Sequence, residues 1–296
     1  MDISTFIARR YNREKRIIDA SKKKRRIADT WLQDDNVGSW RHERMIQGVD
    51  PIIASYPKAK WLTVGDGRFG KEAHYIWKKG GNVVASNISD QLLKEAKRIN
   101  FIPAYSVKNA EKLLLKDQSF DFVLCQESLH HFPRPFLGLY EMIRVARKGV
   151  VITEPNDIFH DHTLLQELFW NIKMAVKKIL GIKEVPPFET VGNYLYRVSL
   201  PEVEKLSIAL DLPLIAHKGI NDKYYEGVEF APLRHSTLFI KVRLWIWLLD
   251  ALCALGFLKP NDISIIIWKT MPTKQCLKGL QSVGFQIIRL AKNPYV

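Results

Sequence analysis

Cysteine, long apolar runs and acidic residues are all scarce in this chain of 296 residues. The three cysteines, Cys125, Cys253 and Cys276, lie far apart with no C-x-x-C pair. Neither a zinc knuckle nor a disulfide framework is expected, no metal site is expected, and reduced thiols suit a cytoplasmic setting. The richest apolar stretch, 238–258, is interrupted by Lys241, Arg243 and Asp250 and holds at most six consecutive apolar residues. A membrane-spanning helix needs about 18. A buried or partner-facing helix is its first reading, and an interfacial helix giving peripheral membrane contact is its second. No apolar h-region follows the charged N-terminus, so an ordinary secretory signal is not expected. The 31 acidic residues face 45 basic ones, a formal charge of +14 that suits an anionic partner.

That excess is spread along the chain. Residues 1–50 carry 12 basic and 8 acidic residues, 51–155 carry 16 and 10, and 156–296 carry 17 and 13. Only the first 26 residues concentrate it, with 10 basic against 3 acidic, ending in Lys22-Lys23-Lys24-Arg25-Arg26. Such a block reads as a tether for nucleic acid or anionic lipid, or more plainly as a solvated helix face. With 47% apolar and 26% charged residues the composition is that of a folded globular protein, which excludes disordered and collagen-like chains.

Residues 5–50 have helical, loosely amphipathic spacing, broken near Asn36-Val37-Gly38, and Asp50-Pro51 marks a fresh helix start. From residue 60 short apolar runs alternate with helical stretches. Strands are expected at 60–64, 82–86, 101–105, 120–125 and 149–154, with helices at 71–79, 90–99 and 135–147 between them. This alternation implies βαβ units in a doubly wound, mostly parallel sheet. Beyond residue 155 it stops. Residues 156–258 read as an inserted helical cap, and 259–296 as a closing strand, helix and strand, with Gly284 as the helix C′ residue. The expected organisation is a helical N-terminal extension over 1–50, a Rossmann-like α/β core over 51–155, the cap over 156–258, and a C-terminal unit that completes a seven-stranded sheet.

The first strand runs into Gly65-Asp66-Gly67-Arg68-Phe69-Gly70, a G-x-G-x-x-G that opens a helix. Glycines there permit a tight turn and let a ligand approach the backbone. Nicotinamide, flavin and adenosyl cofactors all use such a loop. The position that delivers a ribose-binding group at the end of the second strand is Asn87, a hydrogen-bonding but uncharged residue.

Four segments in order carry a more specific resemblance: 61–70 (WLTVGDGRFG), 84–89 (VASNIS), 109–113 (NAEKL) and 119–132 (SFDFVLCQESLHHF). Together they resemble the class I S-adenosylmethionine-dependent methyltransferases, more narrowly the type 11 methyltransferase domain, over about residues 60–155 plus the terminal strand-helix-strand. The resemblance implies that S-adenosylmethionine is the cofactor. It implies that Gly65, Asp66, Gly67 and Gly70 border its methionine and ribose, that Asn87 and Ile88 stand where the ribose-binding acid falls, that Asn109 and Ala110 flank the adenine, and that Gln126 and Glu127 line the methionine side. Two positions depart from the family. Thr63 replaces an acidic residue of the first strand and Asn87 one of the second, which removes negative charge beside a cationic cofactor.

A methyl acceptor that is a hydroxyl or a protonated amine needs a base. His131 and Glu154 are the first candidates, with His130, His160 and His42 behind them; each also reads as a structural residue. Trp40, Arg41 and Arg44 in the extension, with His160, Asn193 and Tyr194 in the cap, are candidate acceptor contacts or ordinary packing. The resemblance extends to methyltransferases found with bacterial surface-polysaccharide biosynthesis, which implies a small-molecule or sugar acceptor, nucleotide- or lipid-linked, anionic, and methylated on oxygen. The alternatives are an RNA or DNA methyltransferase tethered by the basic N-terminus and a non-catalytic cofactor-binding protein. Against a nucleic-acid partner stands the lack of any base-flipping signature or RNA-binding module.

Overall fold

The computed structural model describes residues 2–16, 22–158, 164–181, 188 and 194–295. In chain order the N-terminal helices are α1 (Ile3–Arg16), α2 (Lys22–Asp29), α3 (Val37–Ile46) and α4 (Asp50–Ser55). The core follows as β1 (Lys60–Val64), α5 (Lys71–Lys78), β2 (Asn82–Asn87), α6 (Gln91–Arg98), β3 (Tyr105–Val107), β4 (Phe120–Gln126), α7 (Pro135–Val145) and β5 (Ala146–Pro155). The remainder is α8 (Leu164–Ile179), α9 (Leu200–Ala209), β6 (Leu214–Ile220), α10 (Thr237–Ala254), β7 (Asp262–Trp268), α11 (Lys274–Ser282) and β8 (Gln286–Arg289).

The strands form one sheet in the order β3-β2-β1-β4-β5-β7-β6-β8. The first five are parallel, while β7 runs antiparallel to both of its neighbours and β8 antiparallel to β6. Every residue of β4 is buried, as a central strand covered on both faces requires. One apolar layer sets Ile52 of α4, Ile76 of α5, Leu93 of α6 and Leu280 of α11 against the sheet; the opposite layer sets Leu139 and Met142 of α7 and Val203 of α9. The doubly wound α/β architecture expected from the alternation is present.

Local signals placed several boundaries. The Asn36 side chain caps α3 by accepting from the Ser39 amide at 2.8 Å, and this cap is the break seen near residue 36. Thr273 caps α11, and Gly284, with φ +94°, ends it as the C′ residue. Three details differ from expectation. Among the described residues the sheet has eight strands, not seven, because β6 lies inside 156–258, where only helices were expected. Its sequence, LIAHKGI, has little strand periodicity; pairing on both sides with β7 and β8 makes it a strand. As a result β7 and β8 are not neighbours: β6 separates them. The third strand begins at Tyr105, past Pro103, whose missing N–H cannot join the ladder, and Phe101 stacks on His74 with ring centroids 3.7 Å apart. His160 and Asn193 lie outside the described residues.

Candidate active site

In open α/β sheets the ligand crevice lies beyond the carboxyl ends of the parallel strands. Here the ends of four adjacent strands contribute Asn109 and Ala110 after β3, Asn87 and Ile88 at β2, the 65–70 loop after β1, and Gln126 and Glu127 at β4. The sequence-predicted cofactor residues therefore share one edge. Gly65 (φ +76°) and Gly70 (φ +72°) are left-handed, and a Cβ at Gly65 would lie 2.0 Å from Ser128 Oγ. At Gly67 a Cβ would come within 3.1 Å of the Asn87 amide, so this glycine keeps the path to Asn87 open.

Asp66 is turned inward. Its carboxylate accepts from the Thr63 hydroxyl at 2.7 Å and from the Ala73 amide at 2.9 Å, in the first turn of α5. Burial, then the neighbouring Glu72, pushes its pKa well above the usual carboxylate range. The carboxyl group that β1 lacks at Thr63 is thus supplied to Thr63 from the loop three residues later.

At the end of β4, Glu127 adopts φ +49°, an uncommon conformation for a residue with a side chain, and is held there by its amide donating to the Thr153 carbonyl at 2.8 Å. Gln126 Oε1 and Glu127 Oε1 are both buried without a hydrogen-bond partner. Burial first, and the charge of Glu154 second, raise the Glu127 pKa to about 7. Asp262, across the sheet at the start of β7, rises to about 8 through burial and the charges of Glu127 and Asp222.

Glu154 sits at the other end of this group, fully buried. Its Oε1 accepts from the Ser128 and Leu129 amides at 2.9 and 2.8 Å, and its Oε2 lies 2.6 Å from His130 Nδ1. The carboxylate is taken up in holding the 128–131 turn. His131 is half-buried with its ring 4.3 Å from that of His130, and its carbonyl accepts from Arg10 of α1 at 3.1 Å.

The N-terminal helices close the crevice from above. Tyr11 of α1 donates to Glu111 at 2.5 Å, and Glu111 also accepts from the Arg134 amide and guanidinium, so α1 bridges the loops after β3 and β4. Arg25 of α2 pairs with Glu95 of α6 at 2.8 Å and lies over Phe69, while Arg26 lies over Phe230. These two guanidiniums of the basic block hold α2 to the body of the protein.

Trp40, Arg41 and Arg44 fasten α3 to α10 and to the loop after β6. Trp40 meets Phe239 edge-on at 5.0 Å, Arg44 stacks on Trp40 and donates to the Asn221 carbonyl, and Arg41 makes a buried two-pronged pair with Asp222. Tyr194 is exposed and packs edge-on against Phe188.

A cavity of about 290 Å³ lies between α3, the 65–70 loop and the cap. Its lining includes Trp31, Arg41, His42, Arg68, Glu127 and Tyr224. His42 is kept neutral by burial and by the cations Arg68 and Arg41, and accepts from Arg68. Arg68, one of the unspecified positions of the glycine motif, and Asp222 and Asp262, about 150 residues and more beyond it, carried no signal in the sequence.

Residues 62–153 match the family model described as a methyltransferase domain. Those residues are a methyltransferase domain. No curated protein matches the chain by sequence. Among solved structures it is similar to magnesium protoporphyrin IX methyltransferase from Synechocystis PCC 6803 with bound S-adenosylhomocysteine, at 13% identity and TM-score 0.48, over 90% of this chain and 97% of that one. It is also similar to a SAM-dependent methyltransferase from Archaeoglobus fulgidus (16% identity, TM-score 0.47, 76% of this chain and 92% of that one) and to the YcgJ protein of Bacillus subtilis (16%, 0.48, 76% and 98%).

The residues at these strand ends fit S-adenosylmethionine as the cofactor. The unpartnered amide oxygen of Gln126 is an acceptor suited to an ammonium group, the Glu127 carboxylate suits a cationic neighbour, and the Gly65 and Gly67 backbone leaves room that a side chain would fill. Gly65→Ala is therefore expected to weaken S-adenosylmethionine binding at least tenfold, and to lower stability by about 1–2 kcal/mol for the left-handed backbone alone. Calorimetric titration and thermal unfolding measure the two effects. Unchanged affinity would mean that the cofactor does not lie against this loop.

Proposed function

We propose that this enzyme transfers the methyl group of S-adenosylmethionine to a hydroxyl oxygen of a small, anionic, sugar-like acceptor, nucleotide- or lipid-linked, in the cytoplasm. The observation that carries the reading is Glu127: a carboxylate at the end of β4, between the glycine loop and the cavity, with a buried unpartnered oxygen and a pKa near 7. A general base works best when its pKa lies close to the operating pH.

When bound, the cofactor supplies a methyl group already activated on a positively charged sulfur. The protein's share is to align the acceptor, exclude water and hold a proton. Gly67 and Asn87 would border the cofactor's ribose, and Gln126 would accept from its ammonium group. Glu127 would take the acceptor's hydroxyl proton as that oxygen receives the methyl group. Helices α1 and α3 cover the crevice. Trp31 and Tyr224 offer ring faces to a sugar. Arg68 meets a neutral histidine and the Trp31 ring at 5.8 Å, so its charge suits an acceptor phosphate.

Incubating the protein with methyl-labelled S-adenosylmethionine and fractionated small-molecule and lipid extracts tests the reading. Label is expected in a phosphate-bearing sugar fraction, released as an O-methyl sugar on hydrolysis. Label in nucleic acid, or in an amine, overturns the acceptor assignment.

A further inference from the structure

Two helices on the cap side leave apolar stripes uncovered. In α8 not one described side chain is buried. Leu164, Leu168, Ile172 and Val176 fall on successive turns of one face, Leu180 extends the row just past the helix, and all five are exposed. In α10 only Val242 and Ile246 are buried; on the opposite face Ile240, Leu244, Trp247 and Leu248 are exposed, Trp247 to 68%. Phe169 of α8 lies 6.0 Å from Phe257, just beyond α10, and joins the two helices.

The charges are placed alike on both. At 100° per residue, Lys173 and Lys178 border the α8 stripe on its two edges, and Lys241 and Arg243 border the α10 stripe in the same way. Acidic residues are fewer: Glu167 is the one acid of α8, on the Lys178 edge of its stripe, and Asp250 is the one acid of α10, on the Arg243 edge, where it accepts from the Asn221 side chain at 2.7 Å. Among the described residues no helix is long and apolar enough to cross a membrane.

From this placement we propose that α8 and α10 together seat the enzyme on the surface of an anionic lipid bilayer. An apolar stripe with basic residues along both edges matches the boundary between acyl chains and headgroups: the apolar side chains enter it, and the long cationic ones reach back to lipid phosphates. A symmetric pairing with a second copy would set each stripe against itself and bring its bordering cations together. An anionic bilayer neutralises those same cations. A 16-residue helix with no buried side chain gains little from the rest of the fold, and a lipid surface gives its apolar face somewhere to go. The proposal stands apart from the choice of methyl acceptor, since it concerns binding and not turnover.

The test is flotation of the full chain with vesicles of phosphatidylcholine and with vesicles of phosphatidylcholine mixed with phosphatidylglycerol. The protein is expected to float with the mixed vesicles at low salt, much less with phosphatidylcholine alone, and to lose binding as salt rises. Ile172→Glu combined with Trp247→Glu is expected to reduce the floated fraction on the order of tenfold. Both residues are exposed, so the far-UV circular dichroism spectrum and the thermal midpoint should not change. A second variant, Ile172→Glu alone on α8, should give an intermediate loss. Failure of the native chain to float with mixed vesicles overturns the proposal, as does a double variant that floats like the native chain. So does a native dimer that Trp247→Glu converts to monomer without any vesicle binding, which would make the stripes an interface between copies.

Discussion

Glu127→Gln loses turnover by a factor of about 10²–10⁴, the usual contribution of a positioned base, while calorimetry still detects S-adenosylmethionine binding. The glutamine keeps the shape and one acceptor oxygen but cannot take a proton. In the native enzyme activity should rise with pH through about 7, as the carboxyl loses the proton that burial lets it keep. The substitution also has a stability signature. The folded-state pKa stands above the ordinary 4.5, so folded Glu127 retains a proton that the unfolded chain has lost, and raising the pH through this window costs stability. Glu127→Gln removes the ionisable group and is expected to be more stable than the native chain by about 1–3 kcal/mol at pH 8, a difference that vanishes below pH 4.5. Full activity in this variant would move the base elsewhere, and an unchanged denaturation midpoint at pH 8 would show that the carboxyl is not buried as described.

Glu154→Ala is expected to lose about 3–5 kcal/mol of stability, the range for breaking a buried charged network. The fully buried carboxylate accepts two backbone amides and faces His130, and alanine takes this acceptor from both amides and the carboxylate from His130. The thermal midpoint should fall by about 5–8 °C for a chain of this size. Glu154→Gln, which keeps one carbonyl oxygen for the amides, should lose less. Turnover falls in both because the 128–131 turn packs against Gly65 through Ser128, whose hydroxyl donates to the Gly65 carbonyl at 3.0 Å. A Glu154→Gln variant with native stability and no turnover would make Glu154 the base in place of Glu127.

Much of this could be read along the chain. The strands at 60–64, 82–86 and 120–125 and the helices between them follow from hydrophobic runs and turn residues a few positions apart, and four local motifs carried the methyltransferase resemblance. What escaped involved distant partners. The β6 sequence LIAHKGI gives no strand signal by itself; β7 and β8, more than 40 and more than 60 residues further on, make it one. Trp40 and Arg44 drew notice as aromatic and cationic groups near the fold, yet their partners, Phe239 and Asn221, lie about 180–200 residues away. The pairing of Asp66 with Thr63 is local, but which way Asp66 turns depends on the first turn of α5 and the closed packing around it.

The sequence by itself determined the αβ alternation, the glycine loop and the set of residues delivered to the strand ends, because backbone periodicity and turn chemistry act over a few residues. Only the tertiary structure decided how the acids are placed. Glu154 is drawn into a buried turn and Glu127 left with a free oxygen beside a cavity, because burial and charge neighbours are properties of packing between strands β4, β5 and β7, and no single segment carries them.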